Sequence, residues 1–250
     1  FLDETRRQMA YNIAFNKTKI LELGDNKEIA YSEDGRLRHI VGKSLYTFRL
    51  FDYAGVDPTN GDALWRDNAG LLTNDYSKAR YVYDASPEPT YIGGFNTNLE
   101  WKGLQLGAFF EYKGGNHVML IEKRYLESDG AQMSNNQVIT ALNYWKKPGD
   151  TGVNPKPIAG NSTNSNSFSS TRFLQRGDYL RVKDITLSYT LPKDFTQKAK
   201  IGAAKFYVSA QNIYTFHDVD WWDPERGVDG IGYGIYPMTK ALVGGLEISF

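Results

Sequence analysis

The sequence contains no cysteine, no long apolar run and no excess of charge of either sign. Without cysteine, thiolate metal sites, a cysteine nucleophile and disulfide bonds are excluded. No stretch reaches the roughly 20 apolar residues that a membrane-spanning helix needs, and the mean hydropathy is -0.50. The 29 basic and 29 acidic residues balance, so no overall field favours nucleic acid as a partner. Helical membrane spanning and nucleic-acid binding are therefore not expected.

The sequence also lacks the common motifs of enzymes. It has no GxSxG elbow, no HExxH pair and no glycine-rich phosphate loop. Carboxylates are plentiful, but a glycosidase pair such as Glu88 with Glu111 could be drawn in any protein of this size. We therefore predict no enzymatic activity and no cofactor.

Two acidic segments invite a comparison with metal sites. Residues 217–225, HDVDWWDPE, match no ligand template in their spacing, and a solvated loop is the simpler interpretation. Residues 57–62, DPTNGD, resemble part of a calcium loop but lack the alternating oxygen ligands and a closing glutamate. A turn rich in Pro, Asn and Gly explains them better, so we predict no metal site.

Aromatic residues are abundant, at 14% with 17 Tyr and 13 Phe. Rings with a polar tip suit the boundary between water and lipid, where transmembrane β-barrels carry aromatic girdles. A barrel strand needs only about 10 residues with alternate positions apolar, so a low mean hydropathy is compatible with it. The composition therefore permits membrane spanning by strands.

The hydrophobic pattern has the two-residue period of strands along most of the chain. A hairpin is indicated where two such runs flank a tight turn at Lys102 and Gly103. The predicted strands are residues 9–15, 45–53, 95–101, 104–112, 184–191, 206–211 and 242–250. A short helix is expected only at residues 138–145, within a loop. The fold class is therefore predicted to be all-β, an antiparallel transmembrane β-barrel.

The predicted connections alternate between short and long. The connections at residues 102–103 and 192–202 are short, whereas those at residues 55–89, 114–171 and 215–238 are long. The connection at residues 114–171 includes the low-complexity residues 160–170. Outer-membrane barrels have short periplasmic turns and long extracellular loops. The pattern therefore predicts all three long loops outside the cell. Residues 17–42 fit less well, since the same count makes them a long periplasmic link.

The last strand of the chain carries apolar residues at alternate positions and ends in an aromatic residue. The residues are Leu242, Leu246, Ile248 and Phe250. This pattern resembles the signal that the outer-membrane barrel assembly machinery recognises, although a soluble edge strand could also end in Phe. We expect these residues to face lipid and Val243, Glu247 and Ser249 to face the lumen, because Glu247 in hydrocarbon would cost a few kcal/mol.

Several stretches in this order resemble the C-terminal barrel region of the SusC/RagA family of TonB-linked outer-membrane transporters. They are NKTKILEL at residues 16–23, GKSLYTFRLFDYAGVDPTNGDALW at 42–65, PTYIGGFNTNLEWKGLQLGAFFEY at 89–112, TRFLQRGDYLRVKDITLSYTLP at 171–192, FYVSAQNIYTF at 206–216 and DPE at 223–225. The resemblance implies that residues 1–250 are the C-terminal part of a TonB-dependent receptor barrel, lacking a signal peptide and a plug domain. About seven or eight strands of a larger, roughly 22-stranded barrel are expected, leaving an open sheet.

The same resemblance implies a function in the bacterial outer membrane. It suggests TonB-driven import of oligosaccharides or peptides, with a SusD-like surface lipoprotein as a lid and with TonB acting through the missing N-terminal part. Loop residues would then contact cargo or lid, and lipid would surround the wall. The candidates are Trp65, Trp221, Trp222, Asp223 and Glu225. The adjacent Trp221 and Trp222 could equally anchor the aromatic girdle.

Two other functions remain open from the sequence. A passive pore or a structural barrel of about eight strands would have an interior filled by side chains or by one small ligand. A soluble all-β module that binds glycans would explain the aromatic residues, but neither the ordered loop lengths nor the terminal Phe250.

Overall fold

The computed structural model describes residues 5–32, 35–132, 134–160, 170–198, 200–232, 234 and 236–250. The chain is dominated by strands, and no helix among these residues has the length and apolar character to cross a membrane. The strands are β1 (Thr5–Phe15), β2 (Glu28–Ala30), β3 (Leu37–Ile40), β4 (Thr47–Phe48), β5 (Leu50–Phe51), β6 (Tyr53–Val56), β7 (Ala63–Arg66), β8 (Leu72–Thr73), β9 (Tyr81–Val82), β10 (Tyr91–Trp101), β11 (Leu104–Gly114), β12 (His117–Met119), β13 (Leu174–Arg176), β14 (Tyr179–Thr190), β15 (Ala203–His217) and β16 (Ala241–Ser249).

The helices are short. Two are α-helices, α1 (Ile121–Leu126) and α2 (Lys193–Lys198), and the 3-10 helices are Tyr76–Lys78, Ile139–Leu142 and Thr171–Phe173. The helical turn expected at residues 138–145 is therefore present in part, as one 3-10 turn.

Six long strands form the main sheet, in the order β1-β10-β11-β14-β15-β16. Each pairs antiparallel with the next, so the sheet is an up-and-down meander of the kind that barrels use. Among the described residues β1 and β16 do not pair with each other, and each leaves one edge open. The all-β prediction is confirmed, and the sheet is open as expected, but it holds six long strands rather than seven or eight.

One face of the main sheet carries a continuous apolar band. Because directly paired residues share a face, the register aligns Leu99, Leu106, Leu187, Val208 and Gly244 in one row across five strands. The neighbouring row contains Thr97, Ala108, Ile185, Ala210 and Leu242. Leu187 and Val208 are exposed, although they lie in the middle of the sheet. Such a band needs an apolar solvent, and a bilayer provides one.

Aromatic residues border this band at both ends. The first set is Trp101, Tyr189 and Phe206, and the second is Tyr11, Phe15, Tyr91, Phe95, Phe110, Tyr112, Tyr214 and Phe216. Ten residue steps separate Trp101 from Tyr91 on β10. At about 3.3 Å per residue and a strand tilt of about 40° they span about 25 Å, the height of the apolar band of outer-membrane barrels.

The opposite face of the main sheet is polar. Ser209 on β15 donates a hydrogen bond of 2.5 Å to Asp184 on β14, and Glu247 lies opposite Lys205 in the register. Glu247 therefore alternates with Leu246 and Ile248, as the sequence predicted, and shares the polar face with Asp184. The two faces have the chemistry expected of a wall between lipid and a water-filled lumen.

All long connections leave the sheet at one end. Residues 102–103 and 191–202 form short turns at the end that also contains the C-terminus, whereas residues 16–90, 115–178 and 218–240 connect strands at the opposite end. We call the folded parts of these three connections the cap. The predicted asymmetry of the loops is present, and orientation relative to the cell stays a prediction.

The strand predicted at residues 45–53 is wrong. These residues are divided among β4, β5 and β6 within the cap, where Thr47, Phe48 and Leu50 are all buried. Thr47 and Phe48 point to opposite sides, so the segment is packed on both sides instead of lying between lipid and lumen. Without this strand, residues 16–90 are a single connection on the cap side, which removes the poor fit of residues 17–42.

Charge at the centre of the apolar band should destabilise the wall. We expect Val208→Lys, in the full-length protein, to lower the free energy of unfolding by about 2–4 kcal/mol, because the ammonium group would lie in hydrocarbon. Gln211→Lys, on the polar face of the same strand, is the matched control and should cost less than about 1 kcal/mol. Urea unfolding in lipid vesicles, followed by heat-modifiable gel mobility, measures both. Equal costs for the two variants would contradict the assignment of the faces.

Candidate functional site

The three connections of the cap pack around shared apolar clusters. One cluster joins residues of the first and second connections, and Ile231 of the third packs against it. Its buried members are Leu37, Phe48, Leu50, Met119 and Phe173. A second cluster contains Val118, Leu120 and Val219, again from two connections. The cap is therefore one folded unit, and residues far apart in sequence meet on its surface.

Arg181 attaches the third connection to the wall. It lies on the polar face of β14, and its side chain is fully buried. Its Nη2 is 2.5 Å from Asp223 Oδ1 and its Nη1 is 2.8 Å from Glu225 Oε2, while Nε donates to Thr215 Oγ1 on β15. Every nitrogen of the guanidinium group is therefore paired, and the DPE segment is held over the inner face of the sheet.

Asp223 and Glu225 thus have a structural task in this conformation. Asp223 is largely buried, and Glu225 is partly exposed beside the same guanidinium group. Asp223 Oδ1 also accepts from the backbone N–H of Glu225, which closes the turn. Contact of Asp223 and Glu225 with cargo or lid stays a prediction. In this structure the two residues position the loop between β15 and β16.

The adjacent tryptophans differ in their surroundings. Trp222 packs against the cluster of Val118, Leu120 and Val219. Trp221 is 42% exposed and has a φ of +62°, a conformation that a bulky side chain seldom adopts. Strain of this kind costs on the order of 1–3 kcal/mol and needs surrounding structure to hold it. Both residues lie between β15 and β16, in a loop, as predicted.

A small polar network holds Trp221 in place. Lys123 Nζ lies 5.3 Å from the centroid of the indole and 2.5 Å from Asp220 Oδ2. Gln175 donates to the same oxygen and accepts from the backbone N–H of Asp220. Burial alone would raise the pKa of Asp220, but the hydrogen bonds from Lys123 and Gln175 outweigh it and lower that pKa. The carboxylate is therefore ionised at neutral pH.

Trp65 does not lie on a surface of the cap. Its side chain is 0% exposed and packs with Ala63 and Ala79, with Tyr53 edge-on at 5.2 Å between ring centroids. Burial also raises the pKa of Tyr53 to about 12. The family resemblance implies that Trp65, as a loop residue, contacts cargo or the lid. The cap has a core of its own, and this position corrects the expectation to a role in packing.

The acidic segments form turns and ion pairs. Asp57 accepts from the backbone N–H and the hydroxyl of Thr59, and the backbone N–H of Asp62 bonds to Asn60. Within the described ranges of the chain, no three His or acidic residues are grouped to hold a metal ion. The turn interpretation of residues 57–62 therefore agrees with the geometry.

The predicted assembly residues share one face of the last strand. Leu242 is 77% exposed and lies in one of the apolar rows, whereas Leu246 is 52% exposed and lies opposite Phe206 of the aromatic border. Ile248 alternates with Glu247 on the same side as Leu246, and Phe250 follows the end of β16. Recognition by the assembly machinery stays a prediction.

Sequence reasoning missed Arg181, Lys123 and Gln175. The sequence does contain a signal for Arg181, because it is a charged residue between the apolar Leu180 and Val182 in a run with the two-residue period of a strand. Lys123 and Gln175 are each at least 45 residues from Asp220, which they bind, and no periodicity relates them.

Comparison with known proteins gives a consistent result. No model of a known protein family matches the chain. The chain is 25% identical to TonB-dependent receptor P3 of Formosa agariphila, over 96% of its own length and 26% of that protein. It is 22% identical to TonB-dependent receptor SusC of Bacteroides thetaiotaomicron, over 97% of its length and 24% of that protein. The chain thus spans about a quarter of the curated relatives that it matches.

Solved structures give the same picture. A chain of the RagAB peptide transporter superposes with a TM-score of 0.87 at 29% identity, covering 99% of this chain and 28% of that chain. The RagAB peptide importer in its closed-closed state superposes with a TM-score of 0.85 at 29% identity, with the same coverage. These relatives are named as receptors and transporters, and none of them as an enzyme.

Loss of Arg181 should release the third connection from the wall. In Arg181→Met the carboxylates of Asp223 and Glu225 lose their partner, and removing one member of a buried ion pair costs about 3–5 kcal/mol. We expect residues 218–240 to become sensitive to protease while the sheet stays folded.

Arg176→Met is the control, because Arg176 is 71% exposed in its pair with Asp178 and an exposed pair contributes about 1 kcal/mol or less. Limited proteolysis with mass spectrometry locates the cuts. Equal resistance of both variants would show that Arg181 does not hold the loop.

Proposed function

We propose, from its homology to TonB-dependent receptors of the SusC and RagA kind, that this chain forms the C-terminal wall and cap of an outer-membrane importer. In the whole protein a plug would close the barrel, and force from TonB would open it to nutrients too large for passive pores. The proposal covers a bacterial outer-membrane location and assigns no catalytic residue.

The observation that carries the proposal is the apolar band between two aromatic borders, with every long connection at one end. A soluble glycan-binding module has no use for an exposed apolar row in the centre of a sheet. The bordered band fits a lipid environment, and the cap fits a receptor surface above it.

The open edges of the sheet argue against the passive small barrel. β1 and β16 each leave a row of backbone donors and acceptors without a partner strand among the described residues. Lipid provides no hydrogen bonds, so such edges must be paired within a larger barrel. A barrel of about 22 strands has a lumen wide enough to need a plug.

We infer the cargo and partners from the relatives. The RagAB structures are named as a peptide transporter and a peptide importer, so peptides are one candidate. Oligosaccharides are the other candidate, because the sequence motifs that resemble the SusC/RagA family imply them as cargo. A SusD-like surface lipoprotein would close over the cap, TonB would engage the remainder of the protein, and the assembly machinery would insert the barrel.

Labelling of whole cells tests the location and orientation. In a cysteine-free full-length protein, Leu71→Cys in the cap should react with a membrane-impermeant maleimide in intact cells, since Leu71 is 66% exposed. Phe195→Cys, at 65% exposure in the short turn, is the matched control and should react only after the outer membrane is disrupted. Labelling of both or of neither in intact cells would contradict the orientation.

The dependence of uptake on TonB distinguishes an active importer from a passive pore. Growth on the cargo should require TonB in the importer, and the purified full-length protein should give no steady conductance in a planar bilayer. Growth without TonB, together with steady conductance, would favour the passive pore.

A further inference from the structure

Trp221 and its neighbours have the features of a built binding position. The indole is 42% exposed, whereas Trp222 beside it packs inward against Val118 and Leu120. The backbone of Trp221 has a φ of +62°, and glycine would adopt it without strain. A bulky, exposed side chain at such a position is not explained by folding of the loop.

Three contacts fix the orientation of this residue. The backbone N–H of Asp220 bonds to Gln175 at 2.8 Å, and the backbone N–H of Trp222 bonds to the carbonyl of Asp220 at 2.7 Å. Lys123 lies over the indole at 5.3 Å from its centroid. The ring is therefore preorganised, which lowers the entropy that binding a ligand would cost.

The Asp220 carboxylate adds an acceptor beside the ring. Its Oδ2 takes hydrogen bonds from both Lys123 and Gln175, whereas Oδ1 has no partner among the residues that the structure describes. Its side chain is 42% exposed. A ligand lying on the indole would meet an ionised oxygen held at a fixed position.

We propose that Trp221 and Asp220 form a cargo-binding position for a pyranose ring of a neutral oligosaccharide, held in place by Lys123 and Gln175. The proposal rests on the importer function proposed above, and it names the class of cargo. The C–H face of a sugar would pack on the indole, and a hydroxyl group of the same ring would donate to Asp220 Oδ1.

The charges around the ring favour this ligand over a charged one. Lys123 lies over the indole and is paired with Asp220 and Glu127, so the place of a cation at the ring is already filled and a second cationic group is not favoured there. The ionised Asp220 opposes an anionic group. A neutral polyol can pack its apolar face on the indole of Trp221 and donate a hydroxyl group to the carboxylate of Asp220.

Binding to the purified full-length receptor tests the proposal. The probes are maltohexaose, laminarihexaose and xylohexaose, measured by isothermal titration calorimetry in detergent. We expect at least one of them to bind, and Trp221→Gly to weaken that binding at least tenfold. Trp221→Phe should weaken it less, because it retains an aromatic face.

Trp221→Gly is chosen because glycine adopts this backbone conformation without strain, and relief of that strain offsets the entropic cost of glycine, so the variant should melt close to the wild-type temperature. Trp101→Ala is the matched control, since Trp101 is 50% exposed at the opposite end of the sheet, and it should bind like the wild type.

The outcomes separate this inference from the proposed function. Wild-type affinity in Trp221→Gly, or no binding of any hexasaccharide, would overturn the inference. Capture of peptides from a tryptic casein digest, without sugar binding, would overturn it too and leave the importer function intact. Sugar binding that depends on Trp221, combined with uptake that does not need TonB, would support the inference and refute the importer.

Discussion

A bilayer supplies no hydrogen bonds, so every backbone N–H and C=O group inside it must find a partner in the protein. The antiparallel ladder from β1 to β16 meets that demand for the interior strands of the sheet. The same ladder fixes the register, and the register places Leu187 and Val208 in one row and Asp184 and Ser209 on the other face. Each strand can be apolar on one face and polar on the other only because successive side chains point to opposite faces of the sheet.

The cap follows from a different requirement. Its long connections leave the apolar solvent and must bury apolar surface of their own to be ordered. Phe48, Met119 and Phe173 come from two connections and share one cluster. Trp65 belongs to another cluster within the first connection. These loops therefore behave as a small folded domain attached to the rim of the wall.

Arg181 links the two parts. It belongs to a strand of the wall, yet its guanidinium group is paired with Asp223 and Glu225 of the cap. A buried arginine is favourable only when its charge and donors are satisfied, so the wall constrains where the third connection can lie. The position of Trp221, two residues before Asp223, depends on that constraint and on the contacts of Asp220 with Lys123 and Gln175.

The sequence by itself determined the wall. The two-residue period, the tight turn at Lys102 and Gly103 and the alternation ending at Ile248 are local patterns, and a strand that separates lipid from water must display them. The same reasoning misplaced residues 45–53, because a run with alternating residues looks alike whether it crosses a membrane or packs inside a cap. Only the tertiary structure decided that Trp65 is buried, that Trp221 is exposed and that Asp220 meets Lys123 from 97 residues away. Such contacts arise from packing between segments that are distant in sequence, and packing of this kind produces no periodic pattern in the sequence.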